Sequence, residues 1–166
     1  PKSIRNYLSF VSSVFAYALR MGVAKENPCS RIVLPERQES EKKIFTIEET
    51  QAFLDALDGE PLRYVVFFVL AIFGGYRREE LLGFEFRDFN FTTNVVTVER
   101  VSLYDPAHGI FTGPPKTARS HRSLKLPVWI FDMVKALRAE QSMRRMELGD
   151  QWHESGRLFT KLDGSP

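Results

Sequence analysis

Cysteine is nearly absent: the 166 residues hold one, Cys29. A single thiol excludes an internal disulfide framework and points to a reducing compartment, the cytoplasm. Histidine is scarce too. His108, His121 and His153 are scattered, and with one cysteine they form no zinc-ligand spacing. Long apolar runs are missing. The longest uncharged one, Tyr64 to Tyr76, is 13 residues and contains two glycines. A membrane span needs about 20 residues, so this run predicts a buried helix. The N-terminus lacks the apolar stretch of a secretory leader. Neither sign of charge dominates, with 23 Lys+Arg against 21 Asp+Glu and a net charge of +2. At 43% hydrophobic and 27% charged residues, the chain reads as globular rather than disordered. Its length suits roughly one domain of about 100–200 residues, enough to bury a core. Pro1 in place of methionine and the turn-like Asp163-Gly164-Ser165-Pro166 read as cut ends.

The near-zero charge hides a pattern. Residues 1–43 carry +4, 44–98 carry −5, 99–126 carry +3, and 127–166 balance. Two basic blocks around an acidic one are compatible with a polyanion gripped at two places; the plainer reading is a set of solvated faces.

Apolar residues Ile4, Tyr7, Leu8, Val11, Val14, Phe15, Ala18 and Leu19 recur at three- and four-residue spacing. That predicts an amphipathic helix stopping at Gly22. Pro35 and the charged run Glu36 to Lys43 read as an exposed linker. Thr46-Ile47-Glu48-Glu49 spells a capping box, opening a helix from about Ile47 to Leu57. A helix of about Leu62 to Phe73 follows, with no polar face, which predicts burial on most sides. Gly74-Gly75 breaks it, and Arg77 to Leu82 restarts a short helix. From Val95 to Val101, β-branched residues favour a strand. The loop Asp105 to Gly109 makes it half of a hairpin, and Ser120 to Leu126 supplies a third strand. From Val128 to Leu148, a long helix with one charged side is expected. The order predicts an α+β chain, mostly α: a helical bundle with a small three-stranded antiparallel sheet.

Two stretches carry chemistry. In Phe73 to Phe91, an arginine pair follows a double glycine at a helix start. A helix N-terminus favours an anion, and a guanidinium adds a donor fork matched to a phosphate. Glu80, three residues after Arg77, shares its helix face and is placed to hold the arginine's remaining donors. The plainer reading is a surface ion pair worth less than about 1 kcal/mol. In Thr112 to Pro127, Lys116 follows two prolines at an expected hairpin tip, with Arg119, Arg122 and Lys125 close behind. Such a lysine can sit between phosphates and donate a proton to a leaving oxygen. The plainer reading is a basic, solvated hairpin.

Together these stretches resemble the tyrosine recombinase (phage integrase) family. Its signature, T-G-x-R-x-x-E-L-x-x-L-x-W-x-D-I-D, is matched in spacing by Gly74-Gly75-Tyr76-Arg77-Arg78-Glu79-Glu80-Leu81 and then Phe84, Phe86, Asp88, Phe89 and Asn90. Its second motif, a hairpin lysine before T-x-x-S-x-R, is matched by Lys116-Thr117, Ser120, Arg122, Leu124, Leu126 and Pro127. The resemblance implies the DNA breaking-rejoining fold, cut short. Residues 1–36 would end a helical core-binding domain, 37–44 would be a linker, and 45–166 would begin the catalytic domain. It implies site-specific recombination through a 3′-phosphotyrosyl link, with no cofactor or metal, on double-stranded DNA. The full-length protein would work as a homotetramer, with no membrane association, on a mobile element or prophage. Arg77 matches the first catalytic arginine, Lys116 the general acid, and Glu80 the acid supporting the arginine. Arg78, Arg119 and Arg122 would touch the phosphate backbone.

Departures accompany the match. Gly74 stands where the family has threonine, and Tyr76 where a smaller apolar residue is usual. The family's H-x-x-R box has no counterpart; His153 and Arg157 read as ordinary surface residues. Tyr7, Tyr17, Tyr64, Tyr76 and Tyr104 all precede the place of the nucleophile and read as core or interface aromatics. The chain alone is therefore expected to be inactive. The alternatives are a non-catalytic DNA-binding module on the same scaffold and a helical protein-interaction domain.

Overall fold

The computed structural model describes residues 2–36, 43–115 and 120–166. Lys116, Arg119 and most of the expected 37–44 linker lie outside the described residues. The chain divides into two compact units, Pro1–Phe45 and Thr46–Pro166.

The first unit is one helix and a tail. Helix α1 (Lys2–Arg20) follows the three-and-four apolar spacing, and the Gly22 N–H closes on the Leu19 carbonyl at 3.1 Å. Asn27 then folds the tail back. Its Nδ2 donates to the Ser12 Oγ at 3.0 Å, and its Oδ1 accepts the Cys29 N–H at 3.0 Å. This seats a 3-10 turn, Pro28–Arg31, and buries Cys29. Helix α1 itself buries no residue, and Tyr7, Phe10 and Tyr17 stay exposed.

The second unit starts with the capping box. The Thr46 Oγ1 accepts the Glu49 N–H at 3.1 Å, and the Glu49 carboxylate accepts the Thr46 N–H at 2.8 Å, opening α2 (Ile47–Asp55). Thr46→Ala should cost about 1 kcal/mol. Urea melts of the chain check this, with Thr46→Ser as the variant that keeps the bond; an unchanged midpoint in the alanine variant would refute it.

Helix α3 (Leu62–Gly74) ends on Gly75, whose φ of 59° is the left-handed stop. Its Val66, Val69 and Leu70 pack with Ile130, Phe131, Val134 and Leu137 of α5 (Val128–Leu148) into the core. The rest of the helix is covered in part: Leu62, Val65, Phe67 and Ala71 pack against the core beside α4 (Arg78–Gly83), Phe68 meets Phe53 edge-on, and Tyr64, Ile72 and Phe73 are exposed.

The β structure also differs from expectation in its membership. The three-stranded antiparallel sheet is β1 (Phe89–Asn90), β2 (Val95–Thr97) and β5 (Ser123–Lys125), in that order. Phe89 pairs with Val96, and Val96 with Leu124. The hairpin β3 (Val101–Asp105) and β4 (Gly109–Gly113) forms a separate two-stranded sheet. The run from Val95 to Val101 is thus two strands, not one. The chain leaves the first sheet after Val98 and passes over the end of α4. There a Cβ on Gly83 would lie 2.8 Å from the Arg100 carbonyl oxygen and 2.9 Å from the Val101 Cα. The Arg100 Nη1 is also held by the buried Asp88 at 2.6 Å, and its Nε by Glu85 at 3.4 Å. Burial pushes the Asp88 carboxyl above its ordinary pKa, against the pull of the Glu85 N–H and Arg100.

Arg157 is not a surface residue. It is only 5% exposed. Its Nη1 donates to the Leu82 carbonyl at 2.6 Å and its Nη2 to the Thr112 Oγ1 at 2.7 Å. It therefore ties the end of α4 to β4, and the adjacent Leu158 N–H donates to the Phe84 carbonyl at 2.9 Å. Arg157→Met keeps the stem and deletes both bonds. It should cost about 2 kcal/mol, since charged hydrogen bonds contribute about 1.5–3 each and part of the loss is recovered by water. Chemical denaturation checks this; a difference below about 0.5 kcal/mol, the scale of an ordinary surface change, would refute the tie.

Candidate active site

The expected face-sharing of Arg77 and Glu80 is present, and a third residue joins it. Arg77 is the residue before α4, in extended conformation. Its own N–H donates to the Glu80 Oε2 at 2.9 Å, closing the first turn. Its Nη1 donates to the Glu80 Oε1 at 2.8 Å. The Glu80 side chain is 2% exposed, whereas that of Arg77 is 69% exposed. The carboxylate is thus a buried anchor, and the guanidinium it holds points its other donors to solvent. A guanidinium has five N–H donors. The Arg77 guanidinium meets no partner other than Glu80 among the described residues.

Arg122 reaches the same carboxylate from 42 residues away. Its Nη1 donates to Oε1 at 3.1 Å and its Nη2 to Oε2 at 3.0 Å, a two-point fork. The same guanidinium lies 5.3 Å above the Tyr76 ring. Its side chain is 33% exposed. The sequence reading gave Arg122 to the phosphate backbone; the fold places its fork on Glu80. Burial alone would raise the Glu80 carboxyl. Hydrogen bonds from Arg122 and from the backbone and side chain of Arg77 outweigh that and hold it below the ordinary glutamate value. The same bond to Glu80 pushes Arg122 above its ordinary value, so the pair stays fully charged.

The other candidates sit differently. Arg78 is exposed and pairs with Glu79 at 3.2 Å, an ordinary surface ion pair. Lys116 and Arg119 lie outside the described residues. Ser120, just after them, is buried, and its carbonyl accepts from the Arg122 Nη1 at 3.4 Å. Arg122 thus bridges Ser120 and Glu80. Tyr76 is 6% exposed, and its hydroxyl is pushed up to about 12, chiefly by burial. Of the five tyrosines it is the one in the core; Tyr7, Tyr17, Tyr64 and Tyr104 are exposed. Among the described residues, no three His, Cys, Asp or Glu side chains gather as for a metal, and no helix is long and apolar enough to cross a membrane.

The fork of Arg122 on Glu80 escaped the sequence reading. The spacing of 42 residues carries no periodic signal, and a basic residue before a strand reads first as a solvent or phosphate contact.

Comparison with known proteins places this cluster in context. No family model matches the chain. It is 30% identical to a tyrosine recombinase XerC-like protein of Caldanaerobacter subterraneus, over 96% of this chain and 44% of that protein. It is 22% identical to the ICEBs1 integrase of Bacillus subtilis, over 98% and 44%, and 26% identical to an integrase of Streptomyces ambofaciens, over 99% and 43%. The chain thus spans less than half the length of these curated relatives. The fold matches that of the Tn1549 transposon integrase, solved in complex with transposon right end DNA, with a TM-score of 0.80 and 20% identity. The match covers 99% of this chain and 53% of that one. A second structure of that integrase, with a circular intermediate DNA, gives a TM-score of 0.78. With an α+β fold of the integrase type and relatives of one kind aligned along nearly its whole length, the chain belongs to the tyrosine recombinase (integrase) family.

Proposed function

We propose that this chain is part of a site-specific DNA recombinase acting on a mobile element. Residues 1–36 are the end of a helical core-binding domain, 37–44 a linker, and 45–166 the N-terminal portion of the catalytic domain. The exposed Tyr7, Phe10 and Tyr17 of α1 support the first assignment, since a helix with that stripe suits a larger bundle. The observation that carries the reading is the Arg77 guanidinium, held from behind by buried Glu80 and open in front.

In this reading, Arg77 binds the non-bridging oxygens of the scissile phosphate and stabilises the charge of the pentacoordinate transition state. A tyrosine hydroxyl gives up its proton to solvent as its oxygen attacks phosphorus, and the bond to the 5′-oxygen breaks. Lys116 gives its proton to that oxygen. The products are a 3′-phosphotyrosyl link and a free 5′-hydroxyl. The nucleophile and the H-x-x-R box are supplied by sequence outside this chain. Tyr76, the tyrosine next to Arg77, is buried and stays protonated, which suits core packing rather than attack. DNA is the partner, and the full-length protein assembles as a tetramer on two sites.

A nicked suicide DNA substrate tests this. The full-length protein should trap a covalent protein–DNA adduct, and the 166-residue chain should not. An adduct from the short chain would overturn the assignment of the nucleophile elsewhere. No adduct from the full-length protein would overturn the recombinase reading and leave a DNA-binding module on the same scaffold.

A further inference from the structure

Gly74 and Tyr76, the two departures in the arginine motif, occupy one space. A Cβ on residue 74 would sink into the Tyr76 ring, inside contact distance of Cε2 and Cδ2 and 2.9 Å from Cζ. The bare Cα of Gly74 is therefore what lets the ring lie where it does. Phe84 packs against that ring edge-on, at 4.9 Å between centroids and 88° between planes, which fixes its tilt. The Arg122 guanidinium sits over the ring, 5.3 Å from its centroid, and its Nη2 also points at the Gly75 carbonyl at 3.5 Å. From there the contacts run one way: Arg122 forks onto Glu80, and Glu80 holds both the backbone N–H and the Nη1 of Arg77.

We propose that Tyr76 is a positioning residue. Its ring, seated over Gly74, is the platform on which Arg122 lies, and through Arg122 and Glu80 it sets the direction of the Arg77 guanidinium. An aromatic face attracts a guanidinium and is rigid, so it restricts Arg122 without competing for its donors. The ring does this, not the hydroxyl, which has no hydrogen-bond partner among the described residues. The proposal rests on the reading of Arg77 as the phosphate ligand for its functional meaning, but not for its structural content.

Three variants test it. Tyr76→Phe keeps the ring. Tyr76→Leu fills the core without an aromatic face. Gly74→Ala leaves Tyr76 intact but displaces its ring. On the 166-residue chain, the side-chain Nη–H signals of Arg77 and Arg122, the groups that meet Glu80, are followed by nitrogen-edited NMR, with thermal melting as the check on folding. Tyr76→Phe should leave both signals in place. Tyr76→Leu and Gly74→Ala should melt cooperatively, yet speed exchange of both N–H groups with water about tenfold, the ratio expected from losing a partly buried cation–aromatic contact. In the full-length protein, Tyr76→Leu should lower the strand-cleavage rate about tenfold at unchanged DNA affinity, with Phe restoring it. A folded Leu variant with unchanged arginine signals would overturn the proposal. Should Leu fail to fold, Gly74→Ala decides by the same signals. Absence of any cleavage by the unsubstituted full-length protein would overturn the recombinase reading instead, while the arginine signals still decide this one.

Discussion

Arg77→Ala in the full-length protein should lower strand cleavage about 10³-fold while leaving DNA binding nearly intact. The reasoning is geometric. Glu80 takes one guanidinium donor of Arg77, and the exposed remainder has no other partner among the described residues. Such a fork can meet two phosphate oxygens at once. Loss of a single preorganised donor to a transition-state oxyanion costs about 10²–10³ in rate, and here both donors of a fork disappear. In the ground state the same contact is one phosphate among many, so the salt slope of binding should fall by only about one. Arg77→Lys should recover part of the rate, because an ammonium keeps the charge and loses the fork. Single-turnover cleavage and a filter-binding salt titration measure the two quantities. Cleavage within tenfold of the unsubstituted protein would show that Arg77 is not the phosphate ligand.

Glu80→Gln should destabilise the second unit by about 3 kcal/mol at neutral pH. Removing one partner of a buried ion pair typically costs about 3–5 kcal/mol, because the other charge is left uncompensated. The lower end applies, since Arg77 is mostly exposed and water can take over its share. Arg122 is less exposed; a glutamine carbonyl can keep one arm of its fork, but the new NH2 cannot accept the other, and the guanidinium charge is left unpaired. The pH dependence gives the effect a signature. The pKa of Glu80 is lowered by folding, so its contribution is complete above the unfolded value, about 4.3. It is lost as the pH falls through the lower, folded value. The gap between wild type and Glu80→Gln should therefore be widest near neutrality and narrow below about pH 4. Asp88, raised by burial, works in the opposite sense and is common to both proteins, so it cancels in the difference. A gap that stays constant down to acid pH would show that shape and not charge is what Glu80 supplies.

The features legible in the sequence are those set by near neighbours. The capping box at Thr46 and Glu49 is a four-residue event, and it formed as written. Helices α1, α3 and α5 follow from spacing and from the glycines that stop them. Arg77 and Glu80 are one helical turn apart, so their meeting was also a local matter. Family resemblance rested on the same short runs, and the comparisons support it.

The rest required the chain to fold back. Val95 to Val101 reads as one strand because β-branched residues do not record where a strand leaves its sheet; the close passage of residues 100–102 over Gly83 decides that. Arg157 reads as a surface cation because its partners, Leu82 and Thr112, lie 75 and 45 residues earlier. The fork of Arg122 on Glu80 is invisible in the sequence for the same reason, since its acid is 42 residues away. Sequence by itself determined the single cysteine, the helix starts and the Arg77–Glu80 pair, because backbone hydrogen bonding and side-chain spacing act within a turn or two. Only the tertiary structure decided what stands behind that pair. A buried carboxylate takes whatever donors packing brings to it, and packing brought Arg122, laid on the ring of Tyr76.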